Sequence, residues 1–286
     1  MRICILGGNG MAGHLLVQFL NEKTTCEVHY TTRKTSSNPR EETLDLTDEP
    51  LTYNYLKKLK PDVVINTAGI LNNEASERLE ESIYINSLLP HRLAKWGDEL
   101  EYRFIHISTD CVFSGKKGHY TESDLKDGTT IYAKTKSLGE VTNQRHVTIR
   151  TSIIGPEIRR NGIGLFHWFM KQTESIQGFK DVYWNGVTTL ELSKAIYWIL
   201  QNSVSGLVHL TGTERISKYK LLLMIREEFN KDDISIIPVD LLKGDKTLIN
   251  SRRDFSYKVL DYKDMLTELR EWMKNQEQVY EHYRLM

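Results

Sequence analysis

Tyr132 and Lys136 stand four residues apart in the stretch IYAKTK. That spacing puts both side chains on one face of a helix, about one turn apart. A phenol with an ordinary pKa of about 10 is a weak acid and a weak base at neutral pH, and an ammonium beside it stabilises the phenolate and draws its ionisation toward the working range. Such a pair can exchange a proton with a carbonyl or carbinol oxygen while hydride moves to or from a nicotinamide, a contribution of roughly 10²–10⁴ in rate. Taken alone, the two residues could equally decorate an exposed helix face. Ser108 and Thr109 sharpen the reading, because they close an apolar run 23 residues before Tyr132. In a doubly wound sheet that position is the carboxyl edge where ligands bind, and a hydroxyl there can hold the oxygen that the tyrosine protonates.

Hydride chemistry needs a cofactor, and a cradle for one opens the chain. Gly7-x-x-Gly10-x-x-Gly13 follows the apolar run Ile3–Leu6 directly and leads into a segment with Met11, Leu15, Leu16, Phe19 and Leu20 on one helical face. A strand turning sharply into a helix presents free backbone N–H groups, and glycine keeps side chains from blocking a pyrophosphate there. The end of the second strand carries Arg33 and Lys34 and no acid. This favours NADP, whose 2′-phosphate needs a cation, over NAD, whose ribose needs a carboxylate. NAD stays open as the alternative. Asp45 and Leu46 fall where the adenine edge would lie, and Asn66-Thr67-Ala68-Gly69 ends a further strand where backbone can pass close to the cofactor.

The elements that must position these groups alternate. Strand-like runs at Arg2–Leu6, Cys26–Tyr30, Asp62–Asn66, Arg103–Ile107 and His146–Thr151 are separated by helical periodicity at Met11–Asn21, Pro50–Leu59, Ala75–Asp98 and Ile131–Asn143. The pattern predicts an α/β protein with a doubly wound parallel sheet of the Rossmann type. Residues 1–155 form the expected dinucleotide-binding core. Residues 156–286, less regular, form a smaller interleaved substrate-binding lobe with some elements returning to the core. A chain of 286 residues with 40% hydrophobic content has enough apolar surface for a full core without staples. Lysine plus arginine balances aspartate plus glutamate at 38 each, so the charge footprint of a nucleic-acid binder is missing. The three cysteines, Cys4, Cys26 and Cys111, read as reduced thiols, and none has metal-ligand spacing. Without a leader pattern or an apolar run of membrane-spanning length, the expectation is a soluble cytoplasmic protein that binds no metal, membrane or nucleic acid. A homodimer is left open.

Gly7-x-x-Gly10-x-x-Gly13, Asn66-x-Ala68-Gly69, Ser108-Thr109-Asp110-x-Val112-Phe113-x-Gly115, Tyr132-x-x-x-Lys136 and Arg150-Thr151-Ser152 occur in this order. Together they resemble the extended short-chain dehydrogenase/reductases, and within that superfamily most the dTDP-4-dehydrorhamnose reductase (RmlD-like) branch. The likeness is dense to Gly155 and thinner in WNGVTTLELSKAI, GLVHLTG and LINSRRDFSY. It implies Tyr132 as proton donor, Lys136 holding the nicotinamide ribose and tuning Tyr132, and Thr109 bonding the sugar C4 oxygen. It further implies cofactor contacts from Gly7, Asn9, Gly10, Met11, Gly13, Thr67, Ala68, Gly69, Asn86 and Ser108. The substrate side would use Thr109, Asp110, Cys111, Val112, Ser152, Ile153, Asn185 and Arg252. Members reduce the 4-keto group of a 6-deoxysugar carried on a nucleoside diphosphate, for surface polysaccharide or deoxysugar synthesis. Two departures stand at sugar-facing positions: Cys111 where an aromatic residue is frequent, and Ile153-Ile154 where Trp-Val is frequent. Two other functions fit the superfamily. One is an epimerase or dehydratase, although dehydratases place Asp-Glu after the threonine and this chain has Asp110-Cys111. The other is a non-catalytic NADP-binding regulatory subunit.

Several residues have plainer expectations. His106 reads as a packed core histidine. Asn86 either bonds a proton-relay water or relieves the carbonyl that Pro90 leaves unpaired. Phe166, Trp168 and Phe169 read as core, Asn185, Thr188 and Thr189 as a helix-start cluster. Arg252 and Arg253 are either a diphosphate clamp or surface pairs.

Overall fold

Short apolar runs separated by amphipathic segments fold here as the alternation requires. A computed structural model of the chain describes residues 1–33 and 38–283. In its first half β1 (Arg2–Leu6), α1 (Met11–Lys23), β2 (Glu27–Thr32), β3 (Glu41–Thr43), α2 (Glu49–Leu59) and β4 (Val63–Asn66) follow one another. After them come two single turns, α3 (Glu74–Glu77) and α4 (Leu79–Ser82), then α5 (Leu89–Leu100), β5 (Arg103–Thr109), α6 (Ile131–Leu138) and β6 (Val147–Thr151). The central sheet has seven strands in the order β10-β6-β5-β4-β1-β2-β3, all parallel, with β10 (Gly206–His209) returning from the second half of the chain.

Both faces of this sheet are covered, which is why its strands are apolar throughout. Ile3, Ile5, Val63 and Ile65 pack beneath α1 and α8 (Thr189–Gln201), whereas Cys4, Leu6 and Val64 pack with Leu89 and Leu93 of α5 on the other face. Period-two alternation thus survives inside a fully buried strand: successive side chains enter different cores, each fully buried Leu or Ile contributing about 1.5–3 kcal/mol.

The second half continues with β7 (Ile153–Ile154), α7 (Leu165–Met170), β8 (Glu174–Trp184) and β9 (Val187–Thr188) before α8 and β10. Beyond them are β11 (Ile216–Ser217), α9 (Lys218–Glu228), β12 (Ile234–Asp245), α10 (Tyr262–Asn275) and α11 (Glu277–Tyr280). β11, β8 and β12 form a separate three-stranded sheet, and β7 pairs with β9. Neither β8 nor β12 announces itself in sequence, because both are half exposed and interrupted by charges. At the end of the chain, Tyr280 Oη lies 3.0 Å from His14 Nε2, while the other nitrogen of that ring donates to the Gly10 carbonyl at 2.8 Å. The C-terminal segment is therefore tied to the glycine turn.

Three expectations about elements need correction. The predicted helix Ile131–Asn143 stops at Leu138, since a Cβ at Gly139 would lie 1.9 Å from the Asn86 carbonyl oxygen; the chain must turn away there. The stretch Ala75–Asp98 is broken into α3, α4, a wide π-type segment Ile83–Leu88 and α5. Pro90 cannot donate to the carbonyl four residues back, and the helix widens so that Leu89 N–H reaches Tyr84 O instead. Trp168, expected in the core, is 40% exposed while Phe166 and Phe169 are buried on either side of it.

Among the described residues no helix is long and apolar enough to cross a membrane, and no group of three or more metal-ligating side chains converges.

Candidate active site

The glycine turn has the shape of an anion cradle. Gly7 takes φ +86°, a conformation that side chains rarely adopt, and a Cβ on it would press against the Ala68 backbone at 3.0 Å. A Cβ on Gly13 would lie 2.2 Å from Gly7 O, so glycine is what lets α1 pack against the turn. On Gly10 a Cβ would meet only Gly7 O, at 3.3 Å, so that side of the turn stays open to an incoming group. No side chain caps α1 and no acid lies in its first turn, which leaves backbone N–H groups and the positive end of the helix facing the opening. The turn is braced by Thr67, whose hydroxyl donates to Leu6 O at 2.8 Å, and Asn9 and Met11 sit half-buried at its rim. These residues fit a dinucleotide pyrophosphate.

At the far end of the cradle Arg33 is exposed at the tip of β2, close enough to Asp45 to help hold that carboxyl below its ordinary range. The larger cause there is Thr47, whose amide and hydroxyl both donate to Asp45 Oδ1, at 2.9 and 2.8 Å. Leu46 is buried beside it, and Gly69 is exposed at the end of the β4 strap. Lys34 lies outside the described residues.

Thr109, Tyr132 and Lys136 come together at the carboxyl end of β5. Thr130 caps α6 by accepting Ala133 N–H at 3.1 Å, which sets the helix so that Tyr132 and Lys136 face the sheet. The Thr109 hydroxyl donates to Asp110 Oδ1 at 3.2 Å, accepts Cys111 N–H at 3.1 Å and lies close enough to Tyr132 to act on its phenol. Burial, reinforced by Cys111, pushes the Tyr132 phenol well above its ordinary range. Here the structure corrects the sequence reading: Lys136 does not draw the phenol down. Its Nζ points instead to Ile107 O at 2.8 Å and His106 Nε2 at 3.2 Å, and burial lowers Lys136 to about 8. His106 is fully buried as expected, yet it is no inert filler, since it touches Lys136 and Asn66.

Ser108 is one residue from Thr109 and turned the other way. Its hydroxyl donates to Glu140 Oε1 at 2.8 Å, in a buried network where Arg150 also donates to Glu140 at 2.8 and 2.7 Å. Its one hydroxyl hydrogen is therefore committed to Glu140. Asn86 is likewise engaged: Oδ1 accepts Ile70 N–H at 2.9 Å, and Nδ2 donates to Ile70 O at 2.8 Å and Thr135 Oγ1 at 3.1 Å. It neither relieves the carbonyl that Pro90 leaves unpaired nor has a donor left for a water; it clamps the strap after β4 to α6.

On the substrate side, Asp110 and Cys111 lie half-buried next to Tyr132, with Asp110 raised and Cys111 pushed up to about 11 by burial. Two lysines missed in the sequence face them. Lys218, the first residue of α9, sits with its nitrogen 5.2 Å above the Trp184 ring, near enough for Asp110 and Cys111 to favour its charge although burial lowers it to about 8. Lys246 crosses Gly115, where an added Cβ would meet its Cγ at 3.1 Å, and also acts on Asp110. Ser152 joins this wall by accepting Trp184 Nε1–H at 2.9 Å, with Ile153 beside it half-buried.

Three other predicted substrate contacts are placed elsewhere. Val112 is fully buried with Phe113, Tyr120 and Leu248. Asn185 pairs with the Leu248 backbone in both directions, at 2.7 and 2.9 Å, while Thr188 caps α8 and Thr189 packs on Gly155. Arg252 straps β10 through the Ser205 and Leu207 carbonyls and pairs with Asp254, so its guanidinium is not a diphosphate clamp. A separate cavity of about 500 Å³ opens past β10 between Asn185, Thr211 and Asn250, and Thr109, Tyr132 and Lys136 do not line it.

A β-strand, glycine turn and helix followed by Thr109, Tyr132 and Lys136 at one sheet edge match a known family along nearly the whole chain: the model of the RmlD substrate binding domain covers residues 1–284. The protein belongs to this family. It is 26% identical to the dTDP-4-dehydrorhamnose reductase of Aggregatibacter actinomycetemcomitans over 239 residues, 79% of each chain. It is also 26% identical to methionine adenosyltransferase 2 subunit beta of Danio rerio over 209 residues, 68% of this chain and 64% of the relative. Its fold superimposes on a hypothetical dTDP-4-dehydrorhamnose reductase from Sulfolobus tokodaii with a TM-score of 0.77 at 29% identity, covering 91% of this chain and 96% of the other.

Proposed function

We propose that this RmlD-family protein reduces the 4-keto group of a nucleoside-diphosphate 4-keto-6-deoxysugar with NADPH. The observation that carries the reading is the meeting of the Thr109 and Tyr132 hydroxyls at the tip of β5, beside the glycine cradle. Gly7, Gly10, Gly13 and the open first turn of α1 would hold the cofactor pyrophosphate, and Arg33 would meet the 2′-phosphate. The cofactor, when bound, supplies the hydride.

Everything else falls to the chain. Thr109 donates to the keto oxygen and orients it. Because burial holds the Tyr132 phenol above its ordinary range, the group stays protonated across neutral pH and is ready to donate to the carbinol oxygen as it forms. Lys136 would hold the nicotinamide ribose. Lys218 and Lys246 take over the part considered for Arg252 and receive the diphosphate, in a half-buried pocket beside Asp110.

The test mixes protein, NADPH and a freshly dehydrated nucleoside-diphosphate 4-keto-6-deoxysugar and follows the absorbance of reduced cofactor. Steady oxidation with formation of the 6-deoxysugar is expected. Product without net cofactor consumption would make the protein an epimerase. Binding without turnover would make it a regulatory subunit, a reading that the likeness to methionine adenosyltransferase 2 subunit beta keeps in view and that the intact trio opposes.

A further inference from the structure

The reaction outlined above leaves His106 without a part, yet it contacts Lys136 directly. His106 is 0% exposed, with Nδ1 3.3 Å from Asn66 Nδ2 and Nε2 3.2 Å from Lys136 Nζ. A third residue decides the direction of these bonds. Asn66 Oδ1 accepts the Ala68 N–H at 3.1 Å, so the carboxamide oxygen is turned away from the ring and the NH₂ group faces it. The imidazole nitrogen that accepts from that NH₂ carries no hydrogen, and in a neutral ring the hydrogen then sits on Nε2. The ring is neutral, because complete burial holds it well below its ordinary range.

Nε2–H therefore points at Lys136 Nζ, whose other partner is the Ile107 carbonyl at 2.8 Å. A neutral amine satisfies both contacts, with its lone pair accepting from His106 and one N–H donating to Ile107. An ammonium has no lone pair and would set donor against donor. The surrounding charges agree. Glu140, the carboxylate that favours an ammonium, is already held by Arg150 at 2.7 Å and Lys126 at 3.1 Å. From α5, His91 faces His106 and donates to Leu138 O at 2.7 Å, and on α6 itself Tyr132 remains a neutral phenol. Lowering of Lys136 to about 8 points the same way.

We propose that Asn66 and His106 are positioning residues that favour the neutral amine of Lys136 in the cofactor-free protein, so that NADPH binding in mildly alkaline solution is accompanied by uptake of one solvent proton at Nζ. The hydrogen bonds from Ala68 through Asn66 and His106 make this a built-in preference of the empty site, and the negative charge of the cofactor reverses it. The inference rests on the cradle being an NADPH site.

Two measurements decide it. Nitrogen NMR of the cofactor-free protein, with the His106 signal identified by its loss in His106→Gln, is expected to show hydrogen on Nε2; hydrogen on Nδ1 overturns the proposal. Calorimetric NADPH titrations in buffers of different ionisation enthalpy are expected to show little proton uptake at about pH 7 and close to one proton per site at about pH 9. Binding without uptake at the higher pH also overturns it. In Asn66→Asp the carboxylate would accept from both Ala68 N–H and His106 Nδ1–H, freeing Nε2 to accept from an ammonium. Uptake should then vanish while NADPH still binds, and undiminished uptake in that variant counts against the proposal. If NADPH does not bind the wild-type protein, the cofactor reading fails, whereas the His106 tautomer still accepts or rejects the hydrogen-bond assignment.

Discussion

The two walls of the site are built in opposite ways. The cradle wall is local: Gly7, Gly10 and Gly13 lie within seven residues, and each has a steric reason within its own turn or in the adjoining strap at Ala68. The substrate wall is assembled from distant pieces, with Asp110 and Cys111 after β5, Ser152 after β6, Trp184 at the end of β8, and Lys218 and Lys246 at the ends of α9 and β12. Tyr132 stands where the two meet. A local wall can be read as a motif and fails as a unit, whereas an assembled wall can change its specificity one residue at a time.

Variants can separate these regions. The largest effect is expected at their junction: Tyr132→Phe should lower kcat by on the order of 10²–10⁴ with NADPH affinity unchanged within a few-fold, measured by stopped-flow oxidation and fluorescence titration. Unchanged turnover would remove Tyr132 from the chemistry. In the cradle, Gly13→Val puts its Cβ against Gly7 O and should weaken NADPH by about 100-fold or more, an overpacking cost of about 1–3 kcal/mol in stability accompanying it. Intact affinity would mean that the cofactor is bound elsewhere. On the substrate wall, Lys218→Met and Lys246→Met should each raise KM for the sugar nucleotide by about tenfold and leave the NADPH dissociation constant alone. An effect on NADPH instead would merge the two walls. Arg33→Ala is expected to cost about fivefold in NADPH affinity and nothing in NADH affinity, because the cation is exposed and screened.

The smallest effect is a pH slope. Lys136 and Lys218 are lowered to about 8 in the folded protein, below the unfolded value of about 10.4. Between these values the unfolded chain binds more protons, so both lysines make the cofactor-free protein gain stability as pH rises through that window. Thermal unfolding from about pH 8 to about pH 9.5 should show a shallower rise in Lys218→Met than in the wild type; an identical slope would mean that Lys218 is not desolvated.

The difference between the walls also explains what was legible. The parallel sheet, the glycine turn and the pairing of Tyr132 with Lys136 follow from short-range patterns, each written within a dozen residues. The resemblance implies ligand contacts for Ser108, Asn86, Val112, Asn185 and Arg252, and in the structure each has a protein partner or a core site. Their side-chain direction depends on neighbours distant in the sequence, such as Ile70, 16 residues from Asn86, Glu140, 32 from Ser108, and Leu248, 63 from Asn185. Lys218 and Lys246 escaped notice for the complementary reason, since nothing in SKYK or GDKT marks a lysine that folding will bring to Asp110.

Chain chemistry alone settled the alternation of strand and helix, the open glycine turn and the ridge shared by a phenol and an amine, because these depend on backbone geometry and helical period. Folding in three dimensions chose the protonation of that phenol and amine, and the identity of the cations facing Asp110. Burial and long-range hydrogen bonding set both, and neither quantity exists until β5, α6 and the lobe are packed together.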